Sequence, residues 1–221
     1  MTDLELTHIV APSRAGDPPH PVLVLLHGRG TDETDLLPLA SALDPRLLVV
    51  TARAPFPFPW GGYAWYDLDP RGVGYPNRQS LETSINLISS LLTTITEQHP
   101  VDPARVYLGG FSMGSVMAGT MALLEPERIA GAIILSGYLA ADPELPLQPE
   151  KAAGHPFFMA HGTLDNVIPI QFARQARDYL RTTPVDLHYK EYPIGHQISD
   201  TELSDLSSWL RGVLDKKEVK I

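Results

Sequence analysis

Short apolar runs alternate with helical periodicities along almost the whole chain, and this alternation limits the fold more than any other feature. β-Rich runs are read at 4–10, 22–27, 47–51, 106–109, 130–135, 157–161 and 186–192. Helical spacing is read at 35–43, 115–124, 170–180 and 199–214. The clearest helical stripe is Leu81, Ile85, Ile88, Leu91, Leu92 and Ile95, whose three- and four-residue steps place them on one face. The run VLVLLH is apolar at successive positions, as a strand covered on both faces must be. Strands alternating with helices predict a largely parallel sheet between two helical layers, an α/β fold. In such a sheet, ligands bind beyond the carboxyl ends of the strands, so the chemistry should follow immediately after the β-rich runs.

No internal repeat or charge block interrupts the pattern, and the 21 prolines cluster in short connectors such as RAPFPFPW. One domain is therefore expected over residues 1–221, of a length that supports a single large core. Hydrophobic residues at 43% and charged residues at 19% agree with a packed globule. With 17 Lys+Arg against 26 Asp+Glu, the formal net charge of −9 opposes binding to a phosphate backbone, so no nucleic-acid partner is expected. The chain has no cysteine, which excludes disulfides, thiolate metal sites and a thiol nucleophile. The first ten residues, MTDLELTHIV, lack the basic start and apolar run of an export signal, and no apolar stretch reaches the roughly 20 residues of a membrane helix. A cytoplasmic protein without stable membrane insertion is the expectation.

The segment Gly110-Phe111-Ser112-Met113-Gly114 follows the run RVYLGG and precedes the helical VMAGTMALL. This is G-x-S-x-G in a strand–turn–helix setting, the context of a nucleophile elbow. The glycines allow a turn too tight for side chains, and the helix start directs amide groups to the serine hydroxyl. A hydroxyl needs a base, and the base an orienting acid. Asp165 lies just beyond the run at 157–161, and His196 just beyond the run at 186–192. Ser112, Asp165 and His196 thus occur in the chain order of an α/β-hydrolase triad, each after a strand end. The turn Leu26-His27-Gly28-Arg29-Gly30 follows an early buried strand. The main-chain amides of Arg29 and Met113 are the expected oxyanion donors.

His27 and His161 each precede a glycine at a strand end and read as structural turn residues. No His/carboxylate spacing supports a metal site, GRGTDE and GGFSMGS lack the Lys-Ser/Thr ending of a phosphate loop, and the chemistry requires no cofactor.

Five blocks in order, LLHGRGTDETDLLPLA, RAPFPFPWGGYAWYDL, LGGFSMGS, HGTLDNVIP and GHQIS, resemble the phospholipase/carboxylesterase family of small serine α/β-hydrolases. That family includes acyl-protein thioesterases and bacterial carboxylesterases, and the resemblance runs from about residue 21 to 210. It implies the same triad and oxyanion donors, and it implies that Trp65 lines the acyl site. Met113 stands where many thioesterase relatives carry Gln, a change that a backbone donor survives. The stretch 67–80 is short and no large cap is inserted, so an open site shaped by Trp65, Val167, Ile168 and loops near Leu139 is expected. Arg29 and Arg71 read as solvated surface charges. The expected activity is two-step hydrolysis of short- to medium-chain carboxylic esters as small-molecule substrates. A thioesterase or lysophospholipase would use the same machinery, and a non-catalytic hydrolase-fold binding protein is the reading from another class. The apolar segment APFPFPW could cover a pocket or a partner, which leaves both a monomer and a homodimer open.

Overall fold

A computed structural model describes residues 5–218 apart from positions 141 and 143. The chain runs through β1 (His8–Ala11), β2 (His20–Leu26), α1 (Leu39–Ala42), β3 (Leu48–Ala52), β4 (Phe56–Pro57), β5 (Tyr63–Ala64) and α2 (Arg78–Gln98). It continues with β6 (Val101–Phe111), α3 (Met113–Leu124), β7 (Gly131–Leu135), a 3-10 turn (Pro149–Ala152) and β8 (Pro156–Gly162), and then α4 (Ile170–Leu180), β9 (Asp186–Tyr192) and α5 (Asp200–Glu218). Seven strands form one sheet in the order β1-β3-β2-β6-β7-β8-β9. All neighbours pair in parallel except β1, which is antiparallel to β3. This is the three-layer α/β architecture that the alternation predicts, in the hydrolase form that the resemblance implies.

The period of two in β2 sorts its side chains between two cores. Val22, Val24 and Leu26 belong to the core that holds α2, α3 and α4 residues, whereas Leu23 and Leu25 belong to the core that holds Leu206, Leu210 and Leu214 of α5. Residues 21–26 are all buried, which explains why the run shows no polar alternation. The α2 stripe behaves as its spacing requires: Leu81, Ile88, Leu91, Leu92 and Ile95 are buried. The Asn77 side chain accepts from the Ser80 amide at 3.1 Å and caps the helix start.

Several element boundaries differ from the sequence expectation. The helix at 35–43 shrinks to Leu39–Ala42, because Pro38 disfavours helical backbone at the residue before it. β6 begins at Val101, whose pairing with His20 precedes an irregularity in the β2–β6 register. The first strand starts at His8, and position 4, where it was expected to begin, lies outside the described residues. The short hairpin β4–β5 has no sequence signal beyond the prolines and glycines around it.

Candidate active site

Four strand ends converge. Arg29 follows β2, Ser112 follows β6, Asp165 follows β8 and His196 follows β9. Ser112 adopts φ 53° and ψ −122°, left-handed backbone that an L-residue holds only under constraint. The constraint is close packing of main chain on main chain. A Cβ on Gly114 would lie 2.0 Å from the Leu26 carbonyl oxygen, and one on Gly162 would lie 2.3 Å from that of Ile194. The elbow thus rests on the β2 turn, and the end of β8 rests on the loop that carries His196.

The three predicted side chains meet. His196 Nδ1 lies 2.7 Å from Asp165 Oδ2. A carboxylate can only accept, so Nδ1 carries the proton, and Nε2 is left to accept from the Ser112 hydroxyl at 2.9 Å. The other carboxylate oxygen, Oδ1, accepts from the amides of Val167 and Ile168, both at 2.8 Å. The Phe111 ring packs against the imidazole, with centroids 4.8 Å apart.

The main chains of Arg29 and Met113 flank Ser112. Gly28, beside Arg29, would place a Cβ 3.4 Å from that of Ser112. Met113 opens α3, so its amide points out of the helix start. The turn carrying Arg29 is held by His27. The Ala54 amide donates to His27 Nε2 at 3.0 Å, so the proton sits on Nδ1 and is donated to the Gly28 carbonyl at 2.6 Å. Thr31 Oγ1 donates to the same carbonyl. Burial holds the His27 imidazole below the ordinary histidine value, in keeping with its neutral role. The Arg29 guanidinium lies 5.2 Å over the Phe58 ring, and Arg71 pairs with Asp69 at 2.7 Å.

Two expected substrate contacts are corrected. Trp65 is 0% exposed. Its Nε1–H donates to the His27 carbonyl at 2.9 Å, its own carbonyl accepts from Ser84 Oγ, and its amide meets Met113 Sδ at 3.3 Å. It is buried against the turn that carries Arg29 and does not line an open site. Ile168 is likewise buried and holds Asp165 through its amide. Val167 is 51% exposed, on the loop whose amides bind Asp165.

The family follows from a comparison with known proteins. A profile described as Phospholipase/Carboxylesterase matches residues 7–214. The chain belongs to this family. As a member of the phospholipase/carboxylesterase family it is a serine hydrolase. It is 30% identical over 154 residues to carboxylesterase SOBER1 of Arabidopsis thaliana, covering 67% of each chain. It is 28% identical over 165 residues to acyl-protein thioesterase 1 of Debaryomyces hansenii, covering 71% of each. Across such curated phospholipase/carboxylesterase relatives, the aligned stretch spans from 58% to 71% of their length. The crystal structure of esterase PE8 superposes with a TM-score of 0.80 at 28% identity, covering 95% of this chain and 99% of that one.

One feature near this site has no single sequence signature. A cavity of about 640 Å³ lies between Gly74, Tyr138, Leu139, Leu147, Phe172 and Tyr179. Its lining includes none of Arg29, Ser112, Met113, Asp165 and His196, and its link to them is through the main chain: Gly137, the residue before Tyr138, lies close to Ser115 Oγ and the Ser112 carbonyl. The Tyr138 hydroxyl accepts from the Gly74 amide at 3.0 Å and lies 3.5 Å from that of Tyr66, tying the 67–76 loop over one side. Leu139 was expected near the site, whereas Phe172 and Tyr179 read in sequence only as part of a helix. Among the described residues no group of His and carboxylates is placed to hold a metal ion, and no helix is long and apolar enough to cross a membrane.

Proposed function

We propose that the protein is a carboxylesterase that cleaves short- to medium-chain acyl esters through Ser112, His196 and Asp165. The observation that carries this reading is the continuous path from Ser112 Oγ through both ring nitrogens of His196 to Asp165 Oδ2. In the first step His196 Nε2 takes the hydroxyl proton as Oγ attacks the ester carbonyl. The amides of Arg29 and Met113 receive the oxyanion, an arrangement in which one donor typically accounts for about 10²–10³ in rate. Asp165 holds the tautomer and balances the imidazolium charge. The imidazolium returns its proton to the leaving alcohol. Water then attacks the acyl-enzyme by the same route, and the acid departs.

The mostly apolar cavity beside Tyr138 supports the chain-length reading, since it has room for an acyl chain of moderate length and Gly137 connects its wall to the Ser112 main chain. A binding protein without activity would have no use for three side chains in proton-transfer register. The thioesterase relative gives a second reading, in which the same residues act on a thioester.

A panel of p-nitrophenyl esters from acetate to palmitate, with an acyl thioester and a lysophospholipid alongside, tests both readings. The expected result is highest kcat/KM at about four to eight carbons, with activity abolished in Ser112→Ala. A maximum on palmitate refutes the chain-length assignment. A thioester preferred over its matched oxygen ester replaces the carboxylesterase reading with the thioesterase one.

A further inference from the structure

We infer that His161, outside the triad, is a positioning residue for the triad acid, acting as a permanently neutral donor behind Asp165. The inference rests on the triad reading and adds a fourth side chain to it. His161 is the next-to-last residue of β8, four residues before Asp165, and is fully buried. Its Nε2 is 2.8 Å from the Ile168 carbonyl, which can only accept, so Nε2 carries the proton. The same nitrogen lies 3.3 Å from Asp165 Oδ2, the oxygen that also receives His196. His161 therefore grips the acid in two ways. It anchors the 165–168 loop, whose Val167 and Ile168 amides clamp Oδ1, and it sets a positive N–H end against Oδ2.

The second ring nitrogen explains why the ring stays neutral. Nδ1 is buried and meets no hydrogen-bond partner among the described residues, so a proton added there would be a stranded charge. The charged groups facing the ring are Asp165 and His196 from the site loops and Glu191 of β9, the register partner of His161. Burial outweighs their carboxylates and keeps the imidazole below the usual histidine range. A neutral ring can hold Asp165 without competing for the salt link to the imidazolium of His196. A cation at this place would draw the carboxylate away from His196 and weaken the base.

The test compares His161→Leu and His161→Asn, neither of which can reach the Ile168 carbonyl as the imidazole does, with His161→Gln, whose amide nitrogen reaches farther. The acid limb of the kcat/KM profile reports how well the Asp165–His196 pair holds its proton. A carboxylate beside a cation typically moves such a limb by 1–3 pH units, so loosening it should move the limb to lower pH by about 0.5–1 unit. In the Leu and Asn variants kcat should fall by about tenfold or more with KM little changed, and Gln should restore both limb and kcat. A limb that stays in place or moves upward in folded Leu and Asn variants overturns the inference, as does a Gln variant no better than Asn. If Leu fails to fold, the Asn–Gln pair decides alone. Ser112→Ala is assayed in parallel: undiminished activity there would defeat the triad reading itself, a result separate from any His161 outcome.

Discussion

Glu202 should make this protein less stable as the pH rises through neutrality, and Glu202→Gln should abolish that loss. The residue lies in the first turn of α5, is fully buried, and neither carboxylate oxygen meets a hydrogen-bond partner among the described residues. Its amide donates to Ser199 Oγ at 3.2 Å, so the backbone is fixed while the carboxyl sits in an apolar setting. Burial pushes the carboxyl from an ordinary 4.5 up to about 7. The folded state thus binds this proton more tightly than the unfolded chain does. Its contribution is full below about pH 4.5 and is lost as the pH rises to about 7. At about 1.4 kcal/mol per pH unit, the two and a half units amount to roughly 3 kcal/mol. Gln keeps the shape and the neutral amide at every pH. Relative to the parent, Glu202→Gln should be near neutral at pH 4.5 and more stable by roughly 3 kcal/mol at pH 8, or about 6–12 °C in Tm for a chain of this size. Urea unfolding of both proteins at pH 4.5, 6 and 8, followed by tryptophan fluorescence, measures the difference. The ion-paired carboxylates, such as Glu191 with Arg174, titrate alike in both proteins and cancel. A stability gap that does not change between pH 4.5 and 8 would refute the reasoning.

Three further outcomes follow from the site. Asp165→Asn should lower kcat by about 10⁴ with circular dichroism unchanged, and a loss under tenfold would remove Asp165 from the chemistry. Trp65→Phe leaves the buried His27 carbonyl without its donor and should cost about 1–3 kcal/mol in urea unfolding, with kcat reduced more than KM is raised; full parental stability would contradict the bracing role. Gly114→Ala drives a methyl into the Leu26 carbonyl and should cost more than about 3 kcal/mol or prevent folding, so an active variant of parental Tm would show that the elbow can open.

The sequence made the site legible where chemistry forces residue type and order. Ser112, Asp165 and His196 could be placed because each follows an apolar run, and the structure sets them 2.7–2.9 Å apart in a chain of hydrogen bonds. It was less legible where burial depends on what arrives from elsewhere in the chain. Trp65 looks like a substrate contact when read beside Tyr66 and Asp67, yet His27 of the turn after β2 and Ser84 of α2 hold it in the interior. His161 reads as a plain turn histidine, because its partner Ile168 is marked only by a carbonyl, which every residue has. The cavity draws its wall from segments far apart in sequence, so no local pattern could announce it. The 35–43 stretch reads as a longer helix than it forms for a local reason, since its apolar spacing masks the proline inside it.

The contact between Gly114 and the Leu26 carbonyl also bears on how the protein can change over time. At Gly114 the elbow meets the end of β2 through main-chain atoms, so the spacing between Ser112 and the 27–30 turn is set there by peptide groups more than by the hydrocarbons of the interior. Substitutions among the surrounding leucines, isoleucines and valines can drift without detuning the reaction. The walls around the site can therefore be remodelled while the geometry of the elbow is kept.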